Sequence, residues 1–299
     1  MTFYARIFGG VDELQSAQAA SVNARAARRS RTDWPTLALL LAMYVLFLGN
    51  IALYVYWRLP LLVHIALGTL AIHLAFTIWH EAIHGTVSRK AWINDVVGVV
   101  GMLPYMTPYF MQKWVHLEHH RKLNHVEDPN YAYKDGRFIT IPFRYPRALA
   151  YAKKLLKQDP RTPAQRVSDM TGLAFVAGVH LVALWQGVLF DTLLLWFVPV
   201  VIAKVIMDWY VNYLPHVGLP PDRFRGTRVI DVDWFTPLVL NHNYHAVHHL
   251  WPPVPWHRYR SVYRNKLSYF KSHGVPIEHS VFVDRYEPIR SERASTRAG

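Results

Sequence analysis

From Trp34 to Trp57 the chain carries no charged residue and is rich in Leu, Ala and Val. A helix rises 1.5 Å per residue, so about 20 such residues cross a ~30 Å hydrocarbon core, and a first membrane span is expected at 34–57. Arg58, Leu59 and Pro60 make a short turn. A second span is expected at about 61–79, delivering His80 to the membrane surface. Residues 92–112 are apolar too, but Gly98, Gly101, Pro104 and Pro108 interrupt them. They read as a re-entrant or interfacial segment. The stretch 113–170 is polar and basic and belongs outside the bilayer. Residues 173–213 are long enough for two crossings, at about 173–189 and 192–213, with Gln186, Gly187 and Asp191 in the hairpin. Residues 1–33 form a basic arm ending in Arg25, Arg28, Arg29 and Arg31, and 276–299 are expected as a disordered tail. The fold class is therefore an all-α integral membrane protein, with four transmembrane helices, a re-entrant segment and a cytoplasmic helical cap. One membrane domain is expected over 34–275.

This topology places the arm, residues 113–170 and the C-terminal segment on one face. Nearly all Lys and Arg lie there, whereas the two opposite loops carry only Arg58 between them, so the positive-inside rule makes that face cytoplasmic. Composition agrees: 52% of residues are apolar and only 18% charged, with 11 Trp and 17 Tyr suited to membrane interfaces. The net charge of +13 sits mainly outside the apolar runs. Anionic head groups or an acidic protein partner account for it better than nucleic acid does. The chain has no cysteine, which excludes disulfides, cysteine-ligated iron–sulfur clusters and thiolate-bound haem. The first thirty residues lack the apolar core of a secretory signal, so no cleavage is expected.

Eleven of the 17 histidines fall into four clusters on that one face. His80 and His84 are four apart and stack on one side of a helix. His116, His119 and His120, and again His245, His248 and His249, have the i, i+3, i+4 spacing that brings three imidazoles together. His216 adds a ninth. Asn212 lies one turn before it, with Asp208 and Lys204 on the same stripe of the fourth span, which should face the protein interior or a wet cavity. Nine imidazoles are too many for one metal ion and suit two sites with four or five ligands each. Such ligation suits redox-active iron, although zinc and copper accept it too. Glu118 would point away from its neighbouring histidines. Asp95, Glu127 and Asp128 are candidates to orient imidazoles through the second ring nitrogen.

The ordered set HxxxH, HxxHH, NxxxH and HxxHH around two helical hairpins resembles the membrane fatty-acid-desaturase superfamily over roughly residues 35–265. Within it, Val115 to His120 (VHLEHH), Tyr213 to His216 (YLPH) and Asn243 to Trp256 (NYHAVHHLWPPVPW) are most similar to the desaturase-type β-carotene hydroxylases. The resemblance implies two iron ions bound by His80, His84, His116, His119, His120, His216, His245, His248 and His249, with Asn212 touching a metal through water. Glu81 stands where the first motif often has Asp. His125 and His242 are additional to the nine and are expected to support the ligands or the structure. The implied activity is O2-dependent oxidation of a lipid C–H bond, favoured as hydroxylation of a carotenoid-like ring. The alternative is desaturation or hydroxylation of an acyl chain at the same site. No electron-carrier motif is present in the chain. A separate donor is therefore implied, a ferredoxin or a cytochrome b5-like protein with its reductase.

Two rival classes use the same residues. His80-Glu81-Ala82-Ile83-His84 matches HExxH, in which two histidines bind zinc and the glutamate activates water, the pattern of an intramembrane metalloprotease. That reading leaves both HxxHH sets unexplained. A metal transporter would carry its ligands in mid-span, where only His64, His73 and His180 lie, and packing or hydrogen bonding is the expected role of these three. The aromatic strings Tyr105–Phe110 and Trp251–Trp256 are expected as interface anchors before a lipid-channel lining.

Overall fold

A computed structural model describes residues 32–283, except 58, 135, 156 and 157 and the side chains of 152, 153 and 155. The basic group Arg25 to Arg31, Arg58 and the tail 284–299 lie outside the described residues. Helix α1 (Trp34–Trp57) starts where the Asp33 carboxylate accepts both the N–H (3.3 Å) and the hydroxyl (2.6 Å) of Thr36. That is an N-cap satisfying donors which the helix itself leaves open. Helix α2 (Leu61–His84) follows and packs along α1. It runs five residues beyond the expected end at Trp79. Gly85 stops it in the left-handed conformation (φ 67°), where glycine carries no steric penalty, and its N–H turns back to the Ala82 carbonyl.

Helix α3 (Ala91–Met102) has 12 residues, about 18 Å at 1.5 Å per residue, too short for a ~30 Å crossing. The segment is thus not a fifth crossing, as expected. Its glycines are points of close approach. A Cβ on Gly101 would lie 2.7 Å from the Ile78 side chain, and one on Gly98 would fall 2.1 Å from the Tyr109 ring. Helix α4 (Tyr109–Arg121) starts after Pro108. Two short helices follow, α5 (Tyr131–Lys134) and α6 (Tyr145–Leu155).

Helix α7 (Pro163–Trp185) begins ten residues before the expected span and ends four before its expected close. Thr162 and Gln165 form a reciprocal capping box with Pro163 in the first turn, a strong helix start. The charges that read as extramembrane are neutralised in place. The Asp169 carboxylate accepts the N–H groups of Phe110 and Met111 (2.9 Å each), capping α4, and pairs with Arg161 at 2.7 Å. The fourth long helix, α8 (Leu189–Tyr213), contains two wider π turns at Leu193–Phe197 and Asp208–Tyr213. The four long helices are apolar enough to span a bilayer, and no further helix among the described residues is.

Beyond α8 lie strand β1 (Val229–Ile230), then the short helices α9 (Phe235–Leu238), α10 (His245–Leu250), α11 (Tyr259–Asn265) and α12 (Leu267–Ser272), and strand β2 (Ile277–Glu278). β1 and β2 pair in parallel, Val229 with Ile277 and Ile230 with Glu278, and Val281 and Val283 are buried. The expectation of disorder from 276 is thus corrected for 276–283: these apolar residues find partners in the body of the protein. The second aromatic string also has partners in the body of the protein. Trp251 packs on Tyr269 and Phe270, and the Trp256 indole N–H donates to Thr36 Oγ1 (3.1 Å), so both serve as packing and tie points.

Helices α2 and α8 meet at Gly68, where a Cβ would lie 2.8 Å from Pro199 Cγ and 3.2 Å from the Leu195 carbonyl oxygen. Small residues let membrane helices approach this closely. Gly68→Leu is expected to cost about 1–3 kcal/mol through overpacking. A thermal scan of the detergent-solubilised protein should show a lower midpoint, while Gly178→Leu, with nothing within 4 Å, should leave it in place.

Candidate metal centre

Four separate elements bring their imidazoles to one place. The last two turns of α2 present His80 and His84, and the C-terminal half of α4 presents His116, His119 and His120. The π turn at the end of α8, where the Leu214 N–H reaches the Trp209 carbonyl (2.8 Å), leads directly into His216. Helix α10 presents His245, His248 and His249.

The ring nitrogens sort into two adjacent groups. His80, His84, His116 and His248 form one, and His119, His216, His245 and His249 the other, each with its ligand atoms within 4.8 Å of one another. His120 lies between them. Its Nε2 is 3.1 Å from that of His116 and 2.8 Å from that of His248, while its ring stacks on His249 at 4.2 Å. Within the first group the Nε2 atoms of His84 and His116 are 2.8 Å apart, and those of His80 and His248 are 3.2 Å apart.

The second nitrogens show that these groups fit metal ions. His119 Nδ1 meets both oxygens of Asp128 at 2.9 and 3.0 Å, His216 Nδ1 meets the Gly226 carbonyl at 3.3 Å, and His248 Nδ1 meets the Tyr259 hydroxyl at 3.2 Å. Carboxylate and carbonyl oxygens only accept, so for His119 and His216 the proton sits on Nδ1 and the Nε2 lone pair faces inward. Tyr259 donates its own proton to Glu81 Oε1 (3.4 Å), which lets it accept from His248. His216 Nε2 is buried with no hydrogen-bond partner. An inward lone pair without a donor is a group that a bound cation would satisfy.

Burial, followed by the mutual repulsion of neighbouring imidazoles, holds His116, His120, His216, His245, His248 and His249 well below the usual histidine pKa. All six are neutral at pH 7, the form that coordinates metal. Asp128 is fully buried and supported from three more directions. It accepts from Lys134 Nζ (2.5 Å) and from the backbone N–H groups of Asn124 (3.0 Å) and Asn130 (2.8 Å). Burial alone would raise its pKa, but the Lys134 charge beside it and the hydrogen bonds from His119 and Lys134 hold it below the usual carboxylate range.

The remaining expected residues divide. His242 is buried with its ring 5.2 Å from that of His80 and its Nε2 3.0 Å from Thr77 Oγ1, so it packs behind the site. Asn212 has its amide fixed, with Nδ2 donating to Asp208 Oδ1 (2.7 Å) and Oδ1 accepting from Asn130 (2.9 Å). Asp208 itself holds Lys204 (3.0 Å) and Tyr145 (2.9 Å) and touches no imidazole directly. Three expectations are corrected. Asp95 pairs with Lys113 at 2.6 Å in a half-buried position, Glu127 pairs with Lys122 at 3.3 Å on the outside, and His125 is exposed on its loop. Helical spacing does not govern this loop, where Asn124 takes a left-handed turn (φ 60°) that sends Asp128 alone inward.

Glu81 is also not a free base. Its carboxylate accepts from Thr86 Oγ1 (2.6 Å) and the Trp256 N–H (3.2 Å), besides Tyr259. That engagement and the converging imidazoles speak against the zinc-protease reading. His64, His73 and His180 are hydrogen-bonded to Asn50, the Leu238 carbonyl and the Val176 carbonyl, as expected of packed histidines. Sequence reasoning missed Tyr259, Asn124, Asn130, Lys134 and the capping role of Asp169. Only the density of Asn and Asp at 124–130 hinted at a structured loop.

Helices of spanning length carrying a buried double cluster of imidazoles at their ends define a membrane protein with a histidine-rich centre. A fatty acid desaturase family model matches residues 56–281, and the chain belongs to that family. It is 24% identical over 273 residues to the sn-1 oleoyl-lipid 12-desaturase of Arthrospira platensis, covering 77% of this chain and 75% of that one. It is 28% identical over 237 residues to the acyl-lipid omega-3 desaturase (cytochrome b5), endoplasmic reticulum, of Arabidopsis thaliana, covering 67% and 61%. It is 26% identical over 221 residues to the sn-2 acyl-lipid omega-3 desaturase (ferredoxin), chloroplastic, of Helianthus annuus, covering 60% of this chain and 49% of the relative. These relatives lend no support to the expected likeness to carotenoid ring hydroxylases.

Two measurements probe the centre. Elemental analysis of the purified protein should find two transition-metal ions per chain. His216→Ala should retain about one, and Asp128→Asn should weaken metal binding by roughly 10–100-fold, the usual cost of losing such a support. Unfolded histidine protonates near pH 6.5, whereas these six imidazoles do so only well below it. The unfolded state therefore binds more protons below that value, and stability falls as pH drops through it. Thermal midpoints of the metal-depleted protein should decline between pH 7.5 and 5.

Proposed function

We propose that the chain is an O2-dependent acyl-lipid desaturase with two iron ions. The nine histidines are the proposed ligands, with His120 at the junction of the two groups. The observation that carries the reading is the pair of adjacent all-imidazole groups at the ends of membrane-spanning helices, together with the desaturase family match. The relatives' names make an acyl lipid the supported substrate class, ahead of a carotenoid-like ring. Two irons, when bound, supply the reduction of O2 that drives hydrogen removal from an unactivated C–H bond. The overall balance is one CH2–CH2 unit, one O2, two electrons and two protons giving one CH=CH unit and two waters.

The protein's own residues supply the frame. Asp128, the Gly226 carbonyl and Tyr259 fix three rings in the tautomer that turns Nε2 inward. The burial of the rings keeps them unprotonated and keeps bulk water from the reacting centre. Asn212, its amide orientation set by Asp208 and Asn130, is the proposed water-mediated contact to a metal. The domain is proposed to begin at residue 34 and run through 275, with β2 attached, and the imidazole face is proposed as cytoplasmic on the charge distribution.

The two electrons are proposed to come from a separate carrier, and this cysteine-free sequence holds no cysteine-ligated iron–sulfur cluster of its own. A ferredoxin or a cytochrome b5-like donor is proposed, as in the names of the two omega-3 relatives. Mass spectrometry of lipid and pigment extracts from cells with and without the chain tests the reading. A lipid lighter by two hydrogens is expected, and it should vanish when His245 and His249 are both changed to Ala. A product heavier by one oxygen would instead identify a hydroxylase and overturn the desaturase assignment.

A further inference from the structure

From Gly136 to Gln158 the sequence contains no acidic residue, yet it holds Arg137, Arg144, Arg147, Lys153, Lys154 and Lys157 among large apolar side chains. In the structure this stretch forms a 3₁₀ turn (Phe138–Arg144) running into α6. Its inner face is accounted for. Ile141, Tyr145 and Ala148 pack against Tyr133, Tyr213 and Val217, and Arg144 donates to the Tyr133 carbonyl (2.7 Å). The outer face is not polar, as it would be for a water-exposed helix. Phe143 is 81% exposed and Ile139 68%, with Phe138 and Leu149 alongside.

Position matters here. The inner face rests on Tyr213 and Trp209, the last turn of α8, where that spanning helix leaves the bilayer. The outer face therefore lies at the level of the head groups. Apolar side chains interleaved with cations and no anion are what an interfacial segment needs: the first enter the acyl boundary and the second meet phosphate. We propose that residues 137–155 are a membrane-surface element that inserts Phe138, Ile139, Phe143 and Leu149 into the bilayer interface and binds anionic lipid head groups. The proposal rests on the four long helices lying in a bilayer and is independent of the reaction catalysed.

Because the chain has no cysteine, single-cysteine labelling tests this directly. Phe143→Cys and Ile139→Cys, each carrying an environment-sensitive fluorophore, are placed with the full chain in nanodiscs containing lipids spin-labelled near the head group. Arg225→Cys, on a loop residue 63% exposed, is the aqueous reference. The labels at 139 and 143 should emit blue-shifted light, be quenched by the spin-labelled lipid, and be shielded from aqueous iodide. Quenching should rise when phosphatidylglycerol replaces a third of the phosphatidylcholine. Labels that iodide reaches as readily as the reference would overturn the proposal. So would labels shielded from both quenchers, which would mean a protein partner, or quenching equal in the two lipid mixtures. Failure here would leave metal content and lipid product unchanged, so it is separable from failure of the desaturase reading.

Discussion

Imidazoles packed nitrogen to nitrogen in a buried space repel one another as soon as they gain protons, and they leave lone pairs unsatisfied when they do not. The fold resolves this conflict at the ends of its membrane helices. Acceptors behind His119, His216 and His248 hold a proton on the outer ring nitrogen, so that the inner one is available to a cation. Glu81, Asp128, Asn124 and Lys134 are then explained together. They are the polar groups that a set of inward-facing rings requires behind it, and each is itself satisfied by a neighbour.

This requirement shapes the scaffold around it. α4, which carries three of the rings, is capped from α7 by Asp169, so an acidic side chain inside a spanning helix positions the imidazole-bearing helix. α8 ends in a π turn, one extra residue per turn, and such turns recur at functional sites. From that turn the polar thread of Lys204, Asp208 and Asn212 continues through Asn130 to Asp128 and so to His119. The intramembrane ion pair and the candidate metal centre are thus parts of one hydrogen-bonded assembly.

Much of this was legible along the chain. Long uncharged runs can only be helices in lipid, where every backbone polar group must be satisfied within its own segment, and so α1, α2 and α8 were readable to within a few residues. Histidine spacings of three and four residues specify a shared face on any helix, so the ring sets on α2, α4 and α10 followed without coordinates. The start of α7 did not follow. Arg161, Arg166 and Asp169 mark it as aqueous by composition, while capping and pairing in the folded state make it helical from Pro163.

What only the tertiary structure decided is which groups from different segments meet. Periodicity reports neighbours on one helix, but His80 and His248 stand 168 positions apart and approach through packing alone. The same holds for the carboxylates. Asp95, Glu127 and Asp128 looked equivalent in sequence, and a left-handed turn at Asn124 with three converging donors selected Asp128. The sequence by itself determined the helices, the solvent they require and the kind of ligand they carry, because these depend on local composition and spacing. The division of nine imidazoles into two groups, and the polar partners behind His119, His216 and His248, depended on long-range contacts that no local pattern encodes.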